Sequence, residues 1–246
     1  MGLFVVVALA ENLTADRVDG AGAGRKAAPT LNESGGTLSD AHLTVGNSPE
    51  LELREAPAFA IPHKKLVMWL FIISDAITFG AILFAYGYLR NATPDWPKPF
   101  ESASVINAYV MTFILVSSSL TMLIGIRAAK AGDKSKAITW SFITVVGGLI
   151  FALLHIKEWL GLIGGGLRLF ANPWGSGLFG AAFFSITGLH LTHVVAGCIA
   201  ITVVTLGYKR GRYDHYDLEI WGLYWHFVDL VWMFVVPFVY LLNVKH

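Results

Sequence analysis

The sequence predicts an all-α protein: a polytopic membrane bundle of five transmembrane helices, N-terminus inside and C-terminus outside. Three observations predict it. Hydrophobic residues are 55% of the chain and charged residues only 14%, far from the balance of a soluble domain. Five apolar runs after residue 62 each exceed the ~20 residues needed to cross ~30 Å of hydrocarbon. Lys and Arg are distributed unevenly around the ends of those runs, as membrane orientation requires. The net charge of +1 leaves no nucleic-acid footprint. The single cysteine, Cys198, excludes an internal disulfide framework and a Cys-rich metal site. It lies among apolar residues and reads as a packing residue.

Residues 1–62 differ in composition from the rest of the chain and are read as a disordered or loosely ordered extension; residues 63–246 are the membrane domain. Residues 1–10 are apolar, with Ala8-Leu9-Ala10 as a small-residue cleavage pattern, but no basic residue precedes them, so only half of a secretory signal is present. Residues 11–57 are rich in Gly, Ala, Ser, Asp and Glu without apolar periodicity, the composition of a disordered segment. The run from Gly20 to Gly24 has no strand before it and no apolar helix after it, so it carries no phosphate-loop reading.

The spans cover about residues 66–89, 105–126, 137–163, 177–206 and 219–242. Backbone groups in lipid must be satisfied within the segment, so each is a helix. One side of the membrane collects Arg54, Lys64, Lys65, Arg127, Lys130, Lys134, Lys136, Lys209, Arg210 and Arg212. The other collects Arg90, Lys98, Lys157, Arg168 and Lys245. That is ten against five, and the richer side is inside. Trp96 and Trp174 fall in the two outer loops and Trp140 near the inner end of the third span, where aromatic anchors belong. Pro94, Pro97, Pro99, Pro173 and Gly164-Gly165-Gly166 break the outer connections. No internal repeat is visible, so an inverted-repeat transporter is not supported.

Ionisable groups inside the spans carry the functional question, because in hydrocarbon they cost several kcal/mol and face a bundle interior. They are Asp75 in the first span, His155 and Glu158 in the third, His190 and His193 in the fourth, and His226 and Asp229 in the fifth. Residues three apart share a helix face. Counting at ~1.5 Å per residue puts Asp75, His226 and Asp229 roughly 10–15 Å from the inner boundary. It puts His155, His190 and Glu158 roughly 24–30 Å from that boundary, with His193 between. This predicts an inner polar layer between the first and fifth helices and an outer one between the third and fourth.

Three readings compete for these groups. A di-iron bundle uses Glu-x-x-His from paired helices, but here the order is reversed, His155-x-x-Glu158, and the depths split the set. A proton or ion path uses membrane carboxylates. Interhelical hydrogen bonds, each worth about 0.5–2 kcal/mol, need no further function. Small residues support close packing: Gly188 and Gly197 with Thr187, Thr192 and Ala196 in the fourth span, and Gly80, Ser117-Ser118-Ser119 and Gly147-Gly148 in the first three. Trp221, Tyr224, Trp225, Phe227 and Trp232 crowd the fifth span as packing and interface rings. Pro237 is expected to bend it.

The run from Phe183 to Gly197, Phe-Phe-x-x-Thr-Gly-x-His-x-x-His-Val-x-x-Gly, resembles subunit III of the haem–copper respiratory oxidases. So does Tyr224-Trp225-His226-Phe227-x-Asp229-x-x-Trp232. Ser74-Asp75 with Phe79 and Phe84-Ala85 resembles the family's carboxylate-bearing helix, and Glu158-Trp159 its Glu-aromatic pair. The resemblance covers residues 63–246 in order. Where many members have seven helices this chain has five, as the quinol-oxidase branch and some cytochrome c oxidases do, which leaves the electron donor open; the lipid-facing carboxylate, often Glu, is Asp75, and a position often Gln is His155. The resemblance implies a non-catalytic chain of a terminal oxidase that reduces oxygen to water and pumps protons. It implies no haem, copper or other metal in this chain, with haem and copper in the partner subunit. It also implies packing beside catalytic subunit I and other oxidase subunits, bound phospholipid in a cleft, support of proton uptake, and a place in a bacterial-type inner membrane. The rivals are the accessory subunit of a nitric oxide reductase and an independent membrane di-iron protein.

Two contacts are expected. Asp75 has no charge partner in its own helix; burial favours a neutral carboxyl, which would donate to lipid, to a helix neighbour such as His226, or to the catalytic subunit. In the outer layer His155 or Glu158 is expected to hydrogen-bond His190 or its neighbouring turn.

Overall fold

Without water, the N–H and C=O groups of an apolar run can pair only along the run itself, so helices follow directly from composition. A computed structural model describes residues 62–245; the segment assigned to the N-terminal extension, apart from its last residue, lies outside the described residues, as do the leader-like start and the glycine run within it. The helices are α1 (His63–Ala92), α2 (Ser102–Lys130), α3 (Lys134–Gly164), α4 (Leu178–Lys209) and α5 (His215–Val235). All five are long and apolar enough to cross a membrane, α5 by running on through Asn243. Among the described residues the only β pairing is a single parallel bridge between Phe100 and Val244.

The ends of the helices are set by local chemistry. Asp133 caps α3 by accepting from Lys136 N–H at 3.1 Å; that bond, with the Lys136 ammonium, holds the Asp133 carboxyl below its usual range. Asp214 and Asp217 form a reciprocal capping box at the start of α5, which satisfies otherwise unpaired first-turn N–H groups. Gly132 and Gly211 follow α2 and α4 at φ 81° and 72°, a left-handed step that glycine takes without a Cβ clash. The helix after Val235 changes register, to a π turn over Val236–Tyr240 and a 3-10 turn over Leu241–Asn243. Pro237 lacks the N–H that an α ladder needs there, and a shifted register is one way to accommodate it.

Helices α2 to α5 form a ring of neighbours: α2 on α3, α3 on α4, α4 on α5, and α5 back on α2. Helix α1 stands outside the ring against α4 and α5, and is the least buried of the five. The rings of α5 point into the core: Trp221, Tyr224, Trp225 and Trp232 are all buried. They enter because facing helices are small there. A Cβ on Gly148 of α3 would lie 2.5 Å from Trp225, and one on Gly197 of α4 would lie 3.0 Å from the same ring. Polar atoms stitch the same layer. Trp225 Nε1 donates to Ser118 Oγ at 3.0 Å, Trp232 Nε1 to Thr112 Oγ1 at 3.1 Å, and Thr121 and Thr144 hydroxyls meet at 2.8 Å. Trp96 also packs inward: it is half-buried, edge-on to Tyr86 at 5.5 Å and to Phe179 at 5.7 Å, where the α1–α2 loop meets the end of the bundle.

Candidate functional site

Asp75 leaves the middle of α1 toward α4, where its Oδ2 lies 3.0 Å from His193 Nε2. His193 is fixed by a second contact, since its Nδ1 lies 2.8 Å from the carbonyl oxygen of Leu189. A carbonyl only accepts, so Nδ1 carries the hydrogen, and the tautomer follows from geometry. In a neutral ring Nε2 is then a lone pair, which needs a proton on Asp75. In a charged ring Nε2–H donates to the carboxylate. Either way the pair holds one shared proton and has no net charge, so it is tolerable in an apolar setting. The side chains are only 5% and 13% exposed, His193 and Asp75 respectively. Tyr224 OH donates to the His193 backbone carbonyl at 3.2 Å and Phe79 stands edge-on to the imidazole at 5.3 Å, so α5 holds the backbone there and α1 packs on the ring.

Beside this pair runs an apolar groove between α1 and α5. A cavity of about 240 Å³ is lined by Ala76, Phe79, Gly80, Phe227, Leu230 and Phe234, among others. A further one of about 520 Å³ continues along α1 past Gly87 and Tyr88 to Phe238.

Of the partners expected for Asp75, lipid, a helix neighbour such as His226, or the catalytic subunit, the structure supplies a helix neighbour, and it is His193 rather than His226. His226 is half-buried on α5. Asp229 faces Ser119 of α2, so the inner layer does not join α1 to α5. The second expected contact is also absent. Glu158 Oε2 accepts from Tyr240 OH at 3.1 Å, and Asn107 approaches the same carboxyl. His155 and His190 are both fully buried yet make no hydrogen bond. They meet through aromatic rings. His190 stacks on Trp232 at 5.0 Å, His155 stacks on Phe151 at 5.7 Å, and each also meets the other's ring partner.

Sequence reasoning missed a cluster of ion pairs at the end where α1 begins. Lys64 reaches Asp217 at 3.4 Å, Lys65 reaches Glu219 at 3.0 Å, and Lys130 reaches Glu219 at 2.6 Å. The signal was present, because the charge count already puts the starts of α1 and α5 and the end of α2 on one side. At the opposite end Arg90 donates to Leu242 carbonyl at 3.0 Å. Helix α1, poor in side contacts, is thus tied at both ends.

No group of three or more His, Cys, Asp or Glu side chains among the described residues converges as a metal-ligand set. The polar groups are deployed in pairs: a carboxyl–imidazole pair beside an apolar groove, an acid on a tyrosine, and two histidines in an aromatic box. Five membrane-length helices carrying such pairs define a multi-pass membrane bundle. The sequence comparisons agree. The cytochrome c oxidase subunit III family matches residues 59–244. The chain is 31% identical to cytochrome c oxidase subunit 3 of Alkalihalophilus pseudofirmus over 185 residues, covering 74% of this chain and 88% of that one. It is 31% identical to quinol oxidase subunit 3 of Bacillus subtilis, over 72% of this chain and 86% of that one. It is 30% identical to cytochrome c oxidase subunit 3 of Corynebacterium diphtheriae, over 77% and 93%. The chain belongs to the cytochrome c oxidase subunit III family, and is a multi-pass membrane protein that serves a terminal oxidase as an accessory subunit.

Proposed function

We propose that this chain packs beside the haem- and copper-bearing catalytic subunit I in a bacterial-type inner membrane, binds phospholipid, and supports proton uptake. The observation that carries the reading is the buried Asp75–His193 contact at the edge of an apolar groove between α1 and α5. The groove has almost no polar lining, and exposed apolar side chains such as Ile77, Phe84 and Tyr88 line the free side of α1, which suits lipid tails. The relatives are named as cytochrome c and quinol oxidase subunits, which favours neither a nitric oxide reductase nor a di-iron protein. Isolation of the complex tests the assignment: the chain should co-purify with a haem–copper catalytic subunit and with phospholipid that survives detergent exchange. Purification as a lone, metal-containing chain would reject it.

The proposed orientation puts the α2–α3 and α4–α5 loops inside the cell, on the side of the larger Lys and Arg count. A membrane-impermeant thiol reagent applied to intact cells should label Lys98→Cys, beside Trp96, and leave Lys134→Cys unlabelled. Both positions are exposed and the native Cys198 is buried. The opposite labelling pattern would invert the topology.

With His190 and His193 engaged in ring packing and the Asp75 pair, neither is expected to hold a metal. His190→Asn and His193→Asn complexes should therefore keep the parental haem and copper content per catalytic subunit, measured by absorption spectra and elemental analysis. A stoichiometric loss of metal traceable to this chain would overturn that.

A further inference from the structure

The ring nitrogens of His155 and His190 have no account in the packing. Both residues are 0% exposed, and none of the four nitrogens has a protein partner. A neutral imidazole brings one N–H donor and one lone-pair acceptor. Burying them unpaired carries a desolvation cost that aromatic neighbours do not return. A phenyl ring would fill either place without that cost.

These atoms belong to a row. Glu158, three residues from His155 on α3, keeps a buried Oε1 without a partner. It stands at the edge of a cavity of about 450 Å³ whose lining includes Glu101, Ser104, Asn107 and Lys157. His155 and His193 are the ionisable groups that face His190. His193 shares its proton with Asp75. The order across the bundle is therefore Glu158, His155, His190, His193, Asp75, from a polar cavity to the lipid-side groove.

We propose that His155 and His190 hold bound water, and that this water joins the polar cavity at Glu158 to the Asp75–His193 pair as a proton-exchange route. The proposal rests on reading that pair as a proton holder. A buried water makes about three hydrogen bonds, so one or two waters would meet the two donors and two acceptors. In each step a proton from water binds the lone-pair nitrogen of a ring, and the hydrogen on the opposite nitrogen leaves to the next water. The ring ends neutral with its tautomer exchanged, one proton has moved on, and no oxidant or reductant is needed. Return of the tautomer by ring rotation or by reverse passage resets it. Chains of carboxylates and histidines are the usual parts of such relays in membranes.

Deuterium exchange at the imidazole C2 carbon, read by mass spectrometry on the intact oxidase complex in D2O, tests this. The exchange requires a ring that takes up a proton and is reached by water, so a dry ring is silent. His63 and His215 are exposed and serve as references in the same chain. His155 and His190 are expected to exchange within about 100-fold of them, where burial in a dry core would protect far more strongly. Glu158→Gln is expected to slow both rings by about tenfold, because it removes the exchangeable carboxyl proton at the cavity end of the row. Silent His155 and His190 in the parental complex overturn the proposal without any variant. Exchange that ignores Glu158→Gln overturns the route from the cavity. Turnover of Asp75→Asn is measured separately: full activity there, with the exchange pattern intact, rejects the role of the pair and keeps the wet row.

Discussion

Alanine at Gly148 is expected to destabilise the subunit by about 1–3 kcal/mol, the usual cost of overpacking a filled core, and to loosen it from the oxidase in detergent. Its new Cβ would lie 2.5 Å from Trp225 Cη2 and 2.6 Å from Cys198 Sγ. Neither neighbour yields freely. Trp225 is 1% exposed and its Nε1 is committed to Ser118 Oγ, so moving the ring breaks the bond that ties α5 to α2. Helices α2, α3, α4 and α5 all meet at this point. Gly161→Ala is the control: the same helix and the same substitution, with nothing within 4 Å of the added carbon. It should be neutral or stabilising, since glycine inside a helix costs up to about 1 kcal/mol against alanine. Adding Cys198→Ala to Gly148→Ala removes the sulfur contact and should recover part of the loss, with the indole contact remaining. Retention of the subunit after detergent exchange and the thermal midpoint of the complex measure all three. If Gly148→Ala behaves like Gly161→Ala, the close approach of α3 to Trp225 is not what holds the bundle.

Apolarity made the helices legible and could not make their neighbours so. The first three spans read from composition fall inside the helices observed, the fourth starts one residue before α4, and the fifth runs from α5 into the π and 3-10 turns; a run that must satisfy its backbone in hydrocarbon has little else available. The partner of Asp75 was a different kind of question. Depth counting ranked His226 beside it and His193 higher, on the assumption of upright helices with known starting points. Both inner ends run about three residues further than read, α1 to His63 and α4 to Lys209, so the counted gap of about 6 Å between the two positions is unchanged. Helix seating and side-chain reach close it, and neither is visible in a depth count. Which helices lie side by side is a property of the packing, and the seating of α1 against both α4 and α5 was not encoded in any spacing. Tyr240 as the partner of Glu158 was hidden for a related reason. It lies beyond Pro237, in the π turn, where α-helical face counting no longer tells which way a side chain points. The ion pairs of Lys64, Lys65 and Lys130 were accessible from the charge count, because opposite charges crowded on one side of a membrane find each other.

Asp75→Asn is expected to lower turnover or proton pumping, or to quicken inactivation during turnover, while the complex stays assembled. Asparagine keeps the shape, and its Nδ2–H can donate to the Nε2 lone pair that the Leu189 carbonyl fixes on His193. The hydrogen bond therefore survives and the exchangeable proton does not. Loss of activity should stay below the ~100-fold typical of removing a direct acid–base catalyst, because the role proposed for the pair is proton supply and not contact with the reacting atoms. Asp75→Ala is the contrasting case. It leaves a buried imidazole nitrogen unpaired, which costs about 1–3 kcal/mol, and it removes a tether from α1, a helix otherwise held mainly at its ends by Lys64, Lys65 and Arg90. Ala should thus damage both assembly and activity, and Asn activity alone. His193→Asn completes the set: the amide can still meet Asp75 but cannot take a proton, so it should reproduce the activity loss of Asp75→Asn, and the double substitution should add little to either. Turnover, pumping stoichiometry in proteoliposomes and the rate of inactivation are the readouts, with subunit retention as the check on assembly. Should both Asn variants match the parent in all of them while Ala alone loosens the subunit, the pair is an interhelical hydrogen bond and carries no proton traffic.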